Sequence, residues 1–498
     1  MYFIEEKVGK TCRDLEDFTI VKLADIYPVY YSKGRYKNVQ EASDPSIAWE
    51  VYQNGTPWAE RDSHAWFKFE VRVPEEYEGK SLSVYIMSYQ KGWDATNPQF
   101  MVYLNGRPVQ GVDVNHTRIV LTRNARPGDI FKIDMHAYSG MVAGQDKFLP
   151  VLAEVREDVK ALYYDIKVPL DIIKFMDDND KDKHDMLTVL NQTCNIIDFR
   201  KPGSSLFYES VKNATAFIRT ELYEKMKDKS DVIATCVGHT HIDVAWLWTV
   251  EQTREKTGRS FSTVIKLMED YPEYIFMSSQ PQLYKFLKED YPEVYEQVKE
   301  KVKEGRWEAE GGMWLEADCN VTSGESLVRQ FLFGKTFFKN EFGVDNKILW
   351  LPDVLGYNAA LPQIMKKCGI DYFMTTKINW NRHNKMPYDT FLWQGLDGTE
   401  VLTHFITTQN ADEKKFFTTY NGMLNPSSVI GAWRRYSHKD MHDDVLISYG
   451  YGDGGGGPTE EMLENIRRME KGLPGCPRTV QGRALDYFKR LEKSFIEN

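Results

Sequence analysis

Alternation of apolar and polar positions dominates the first third of the chain. Residues 65–71 (Ala-Trp-Phe-Lys-Phe-Glu-Val) are rich in strand formers, and Leu82, Val84 and Ile86 fall on one face by period two. Asn54-Gly55, Asn105-Gly106 and Pro127-Gly128 separate such segments as turns. Short strands at regular spacing with turn signals predict a jelly-roll-like β-sandwich over residues 1–160. The period then becomes helical. Runs at 171–197 and 206–226, separated by Pro202-Gly203, predict a helical connector over residues 161–230. From Asp231 onward short apolar strands, at 232–237, 308–311, 348–351, 372–375, 401–405 and 445–448, alternate with amphipathic helices at 263–270, 281–302, 324–342, 361–368, 459–471 and 483–495. That alternation predicts a mostly parallel α/β domain over residues 231–498. In such folds the chemistry sits at the C-terminal ends of the strands.

A length of 498 residues fits the two or three domains this pattern suggests. The net charge of -10, with no basic block, excludes a surface built for nucleic acid or anionic membrane and leaves a neutral polar substrate compatible. Cys12, Cys194, Cys236, Cys319, Cys368 and Cys476 are scattered without a C-x-x-C pair, which predicts a cytoplasmic protein rather than a disulfide framework. The N-terminus lacks the apolar segment of a secretory signal, and no run of about 18 apolar residues predicts a membrane span.

Three motifs follow predicted strands. The first, Val237-Gly238-His239-Thr240-His241-Ile242-Asp243, is followed by Trp246 and Trp248. If the chain stays extended, His239, His241 and Asp243 share one face, and imidazole beside carboxylate suits a divalent ion such as zinc. A hydrogen-bonded cluster at a strand end is the alternative. The second motif, Leu351-Pro352-Asp353, puts another carboxylate at a strand end, where it serves either chemistry or a helix N-cap. The third runs from Gly450 to Thr459, with Asp453 before four glycines. It lacks the Gly-Lys-Ser/Thr of a phosphate loop, and its carboxylate would repel phosphate, so a general acid or a plain Asp turn remains. Trp314, Glu316, Asp318 and Asn320 mix an aromatic platform with hydrogen-bonding groups, as sugar subsites do; a buried Trp with solvated neighbours is the other reading.

Taken together, these motifs resemble glycoside hydrolase family 38, the class II α-mannosidases, and most closely its cytosolic and vacuolar branch. The resemblance rests on His239-Thr240-His241-Ile242-Asp243-Val244-Ala245-Trp246, Gly312-Met313-Trp314-Leu315-Glu316-Ala317-Asp318, Gly324-Glu325-Ser326-Leu327-Val328-Arg329-Gln330, Leu351-Pro352-Asp353, Thr375-Thr376-Lys377 and Gly452-Asp453-Gly454-Gly455-Gly456-Gly457-Pro458-Thr459. It covers residues 231–498, and the N-terminal region is similar to that branch's accessory domain. The resemblance implies a seven-stranded α/β barrel. It implies that His241, Asp243 and Asp353 are metal ligands, with Zn2+ or Co2+ as the ion, and that Asp353 is also the catalytic nucleophile. Asp453 would be the general acid and Trp246 would stack under a mannose ring. Trp314, Glu316 and Asp318 would contact substrate, and His239 would support the site from behind. The implied partner is a mannose-containing oligosaccharide, and a homo-oligomer is compatible.

The family also has a later histidine ligand, next to an aspartate, in a helical region after the barrel. None of the ten histidines has that context, since His442-Asp443 precedes the Gly-rich loop. The expectation is therefore an N-terminal portion without the family's C-terminal helical and β domains. Two other readings stay open: a sugar-binding module without turnover, and a zinc-dependent polysaccharide deacetylase, whose metal would activate water and which has no use for the Asp453 loop.

Overall fold

The computed structural model describes residues 3–88, 99–141, 146–381, 383–414 and 417–497. Among them, ten strands precede the helical segment: Ile20–Asp25 (β1), Val29–Lys33 (β2), Glu50–Tyr52 (β3), His64–Arg72 (β4), Leu82–Met87 (β5), Gln99–Leu104 (β6), Arg107–Val112 (β7), Arg118–Thr122 (β8), Ile130–Tyr138 (β9) and Leu149–Val155 (β10). They form two antiparallel sheets, ordered β1-β10-β5-β8 and β3-β2-β4-β9-β6-β7. The predicted alternation has a physical outcome. Val84 and Ile86 of one sheet share a single apolar cluster with Phe67, Phe69, Phe100 and Met135 of the other.

The extreme N-terminus departs from the all-β expectation. Ile4–Glu16 is a helix whose Val8, Cys12 and Leu15, spaced four and three apart, are buried in one cluster with Leu162, Ile166, Met186 and Leu190. Lys, Arg and Glu between these few apolar positions hide the stripe in the sequence. The helical segment itself holds helices Glu157–Ile173, Lys181–Ile196 and Ser205–Ile218, the last continuing through a wider turn at Arg219–Glu224. The run expected at 171–197 is thus split, and Asp180 caps the second helix through the Asp182 amide.

The following region contains Ile233–His239 (β11), Phe276–Ser278 (β12), Trp307–Ala309 (β13), Ile348–Trp350 (β14), Tyr372–Thr375 (β15), Thr390–Gln394 (β16), Glu400–Phe405 (β17), Asp444–Tyr449 (β18) and Arg478–Gln481 (β19). Against the expected seven-stranded barrel, the hydrogen-bonded ladders form two sheets. One is the parallel set β13-β12-β11-β18, with β19 also parallel on β11. The other is the parallel set β14-β15-β17 with β16 antiparallel at its edge. Between β13 and β14, Glu310 Oε1 accepts the amides of Lys347 (2.9 Å) and Ile348 (3.1 Å). Beside β18, the Gly422 amide donates to the Ser448 carbonyl at 3.1 Å.

The helix Gly324–Phe342 has the expected limits, with Ser323 as N-cap and Gly343 at φ 72° ending it. The helix expected at 281–302 is broken into Pro281–Asp290 and Pro292–Lys303, because Pro292 has no amide to donate and biases Tyr291 away from helix. Conversely, Val250–Asp270 is much longer than the 263–270 read from apolar spacing. Its first half buries Gln252, Thr253, Glu255, Lys256 and Arg259, polar residues that a hydrophobic pattern cannot register.

Those polar residues are buried because the N-terminal sheets dock on this helix. The Gly111 amide on β7 donates to Thr263 Oγ1 at 2.9 Å. A Cβ at Gly111 would lie 2.8 Å from Arg259 Cβ and 3.1 Å from the Arg259 carbonyl oxygen. We therefore expect Gly111→Val to overpack the junction and cost about 1–3 kcal/mol. A thermal unfolding midpoint equal to that of the parent chain would contradict this close approach.

Candidate active site

The chain leaves four parallel strands in ways that converge. After β11 it carries His241 and Asp243, after β14 Asp353, after β15 Lys377, and after β18 Asp453. One donor atom each from His241, Asp243, Asp353 and Asp453 lies within 4.8 Å of the others. His241 Nε2 is 3.2 Å from Asp243 Oδ1 and 3.5 Å from Asp353 Oδ2. The far side of the imidazole is buried, with Nδ1 3.0 Å from Glu316 Oε2. That pair has an ion-pair separation but not the alignment of a full hydrogen bond, and neither atom has another partner. Ser279 Oγ donates to Glu316 Oε1 at 3.1 Å. Burial alone would lower the His241 pKa, but Glu316 and Asp243 outweigh it and push it well up.

Tyr420 lies between the two candidate catalytic carboxylates. Its hydroxyl is 2.8 Å from Asp353 Oδ2 and 2.7 Å from Asp453 Oδ1. A phenol has one proton to donate. If it serves Asp353, the contact with Asp453 requires a proton on that carboxyl. The surroundings agree: burial pushes the Asp453 pKa up, and the neighbouring Asp353 and Asp243 add to it against the Tyr420 hydrogen bond and His241. The Lys377 ammonium pairs with Asp353 Oδ1. Lys377 is itself held over the Trp380 ring, 4.0 Å from its centroid.

This donor set fits a divalent cation. Three carboxylates and one imidazole nitrogen face the same small volume, and Glu316 behind Nδ1 turns Nε2 toward it, as carboxylates do behind metal-bound histidines. A second donor group, His64, His136 and Glu255, does not fit. His64 Nδ1 is 3.0 Å from His136 Nε2, but Arg35 (2.9 Å) and Arg259 (3.6 Å) already supply cations to the Glu255 carboxylate.

The remaining expected residues divide. Trp246 is 54% exposed and meets Trp248 edge-on at 5.6 Å, while Trp248 Nε1 donates to the Asp243 carbonyl at 3.2 Å and fixes that turn. Glu316, expected at a sugar subsite, is instead buried behind His241. Trp314 is held elsewhere, its Nε1 donating to Gln282 Oε1 at 3.1 Å and its ring against Phe337. Asp318 accepts the amides of Asn320 (2.7 Å) and Val321 (3.1 Å), closing its own turn. His239 is buried below the site, and its Nε2 accepts from Trp350 Nε1 at 3.2 Å, with burial lowering its pKa to about 3. Lys377 and Tyr420 were not assigned from the sequence. Lys377 follows a strand end and obeys the same positional rule as Asp353. Tyr420 follows a long loop after β17 with no periodic signal around it.

Comparison with known proteins identifies the family. The family model described as glycosyl hydrolases family 38 N-terminal domain matches residues 231–497. Alpha-mannosidase G of Dictyostelium discoideum is 34% identical over 451 residues, covering 86% of this chain and 39% of that protein. Alpha-mannosidase 2C1 of Mus musculus is 32% identical over 468 residues, covering 89% and 43%. An alpha-mannosidase of Saccharomyces cerevisiae is 37% identical over 323 residues, covering 63% and 28%. The chain therefore belongs to glycosyl hydrolase family 38, and it spans less than half the length of these relatives.

Titration with Zn2+ or Co2+ is expected to raise the melting temperature, by an amount equivalent to about 2.7 kcal/mol when free metal reaches 100 times its Kd. Asp243→Ala should abolish most of that shift. An equal shift in the variant would place the cation elsewhere.

Proposed function

We propose that this chain carries the catalytic portion of a retaining α-mannosidase that releases terminal α-linked mannose from oligosaccharides. The observation that carries this reading is the Tyr420 hydroxyl spanning Asp353 and Asp453. The nearest donor oxygens of these carboxyl groups lie within 4.8 Å. This favours a retaining pair, spaced roughly 5–5.5 Å, over an inverting pair at about 6.5–9.5 Å. The names of the relatives support the mannose assignment.

Asp353, paired with Lys377, attacks the anomeric carbon. Asp453, whose pKa burial raises, gives its proton to the departing glycosidic oxygen, and its carboxylate then deprotonates the water that hydrolyses the glycosyl-Asp353 ester. Trp246 offers an exposed ring face to the sugar. His241, Asp243 and Asp353 would hold the divalent ion, zinc or cobalt, whose contribution when bound is to take vicinal mannose hydroxyls as ligands and stabilise charge. The same reading treats residues 1–160 as an accessory jelly-roll-like sandwich, 161–230 as a connector and 231–498 as the α/β catalytic domain, in which the two sheets together take the place of the expected barrel wall. It places the protein in the cytoplasm.

Hydrolysis of an aryl α-mannoside, with zinc or cobalt and a chelator control, tests the reading. Metal-dependent release of mannose supports it. Sugar binding without release favours a binding module, and acetate release from an acetylated polysaccharide favours a deacetylase. Asp353→Asn is expected to lower kcat by on the order of a thousandfold or more while mannoside binding survives. Wild-type turnover in that variant would remove Asp353 from the nucleophile's role.

A further inference from the structure

Four consecutive glycines, Gly454 to Gly457, follow Asp453 and bring no side chains with which to hold the loop. Asp453 itself adopts φ 54°, a left-handed conformation that a non-glycine residue keeps only when its surroundings enforce it. Part of that enforcement comes from the end of β11 and from the loop after β17. Asn421 Oδ1 accepts the Gly452 amide at 3.0 Å, and Thr240 Oγ1 donates to the Tyr451 carbonyl at 3.0 Å.

The loop also closes on itself, the Tyr451 and Gly457 amides exchanging hydrogen bonds at 2.9 Å, and the N-terminal sheets add a further set of contacts. The turn between β7 and β8 is organised by Asp113, whose Oδ1 accepts the amides of Asn115 (2.7 Å) and His116 (2.8 Å). Asn115 Nδ2 donates to the Gly455 carbonyl at 3.1 Å. His116 Nε2 donates to the Pro458 carbonyl at 2.9 Å, while its Nδ1 faces Asp113 Oδ1 at 3.0 Å. Between these contacts lies Gly456, at φ 90°. A Cβ there would lie 2.5 Å from Asp113 Oδ2 and 2.7 Å from His116 Cε1. The glycine leaves room for the turn from the other domain.

We propose that Asp113, Asn115 and His116, on the N-terminal β region, are positioning residues that brace the Gly-rich loop and so aim Asp453 at the leaving-group oxygen. The proposal rests on Asp453 being the general acid. It makes the accessory region part of the active-site architecture, with no need for it to touch sugar.

The test uses the full chain, the variants Asn115→Ala, His116→Ala and His116→Gln, and Asp453→Asn as reference. Acid assistance matters for phenyl α-mannoside and little for 2,4-dinitrophenyl α-mannoside. We expect kcat/KM on the phenyl substrate to fall about tenfold or more in Asn115→Ala and His116→Ala, a share of the roughly 10²–10⁴ that general acid catalysis supplies. On the dinitrophenyl substrate the change should stay under about twofold. His116→Gln, which keeps a donor for Pro458, should recover part of the loss. Amide hydrogen exchange over 452–457 should quicken in the alanine variants. Unchanged exchange, or equal losses on both substrates, overturns the brace. If Asp453→Asn shows no leaving-group contrast, the acid assignment fails instead, and hydrogen exchange alone decides whether the turn holds the loop.

Discussion

Crowding of negative charge is the constraint from which the rest of the site follows. Asp243, Asp353 and Asp453 meet within 4.8 Å of one another, and Glu316 stands directly behind the imidazole that joins them. Two like charges 4 Å apart repel by about 4 kcal/mol at an effective dielectric of 20, so such a group persists only if protons or cations are shared into it. Each neighbour meets part of that need. Lys377 pairs with Asp353, Glu316 and Asp243 push the His241 pKa up, burial pushes the Asp453 pKa up, and the Tyr420 hydroxyl lies within hydrogen-bond distance of both carboxyls. What remains is a concave set of oxygen and nitrogen donors with surplus negative charge, the environment a divalent ion selects.

The scaffold reaches this arrangement by strand ends from both parallel sheets. β11 and β18 belong to one sheet and β14 and β15 to the other, so the site lies where the two meet. Glu310 joins the sheets between β13 and β14, where a ladder is missing, and errors in that joining would separate Asp353 from His241 and Asp453.

Much of this was legible in the sequence, for reasons that differ by residue. Gly324–Phe342 could be read to its ends because a serine cap and a left-handed glycine mark them locally. His241, Asp243, Asp353 and Asp453 could be picked out because each follows an apolar strand, and the family resemblance supplied their roles. Ile4–Glu16 stayed hidden because too few apolar residues define its stripe, and the first half of Val250–Asp270 because its buried face is polar. Trp314 and Asp318 flank Glu316 in sequence, yet the chain turns each toward a different partner. Tyr420 depended wholly on tertiary placement, since nothing near it in sequence marks a phenol that will bridge two acids.

The docking face of Val250–Asp270 bears on where this protein can be cut. Residues 231–497, the stretch recognised as a family unit, would on their own leave Glu255, Lys256 and Arg259 without their neighbours from β4, β6, β7 and β9, and Gly456 opposite solvent. The boundary that sequence similarity draws around the chemistry is therefore not a boundary of physical autonomy. An excised segment would carry every acidic residue of the site and lack the wall that keeps one of their loops in shape.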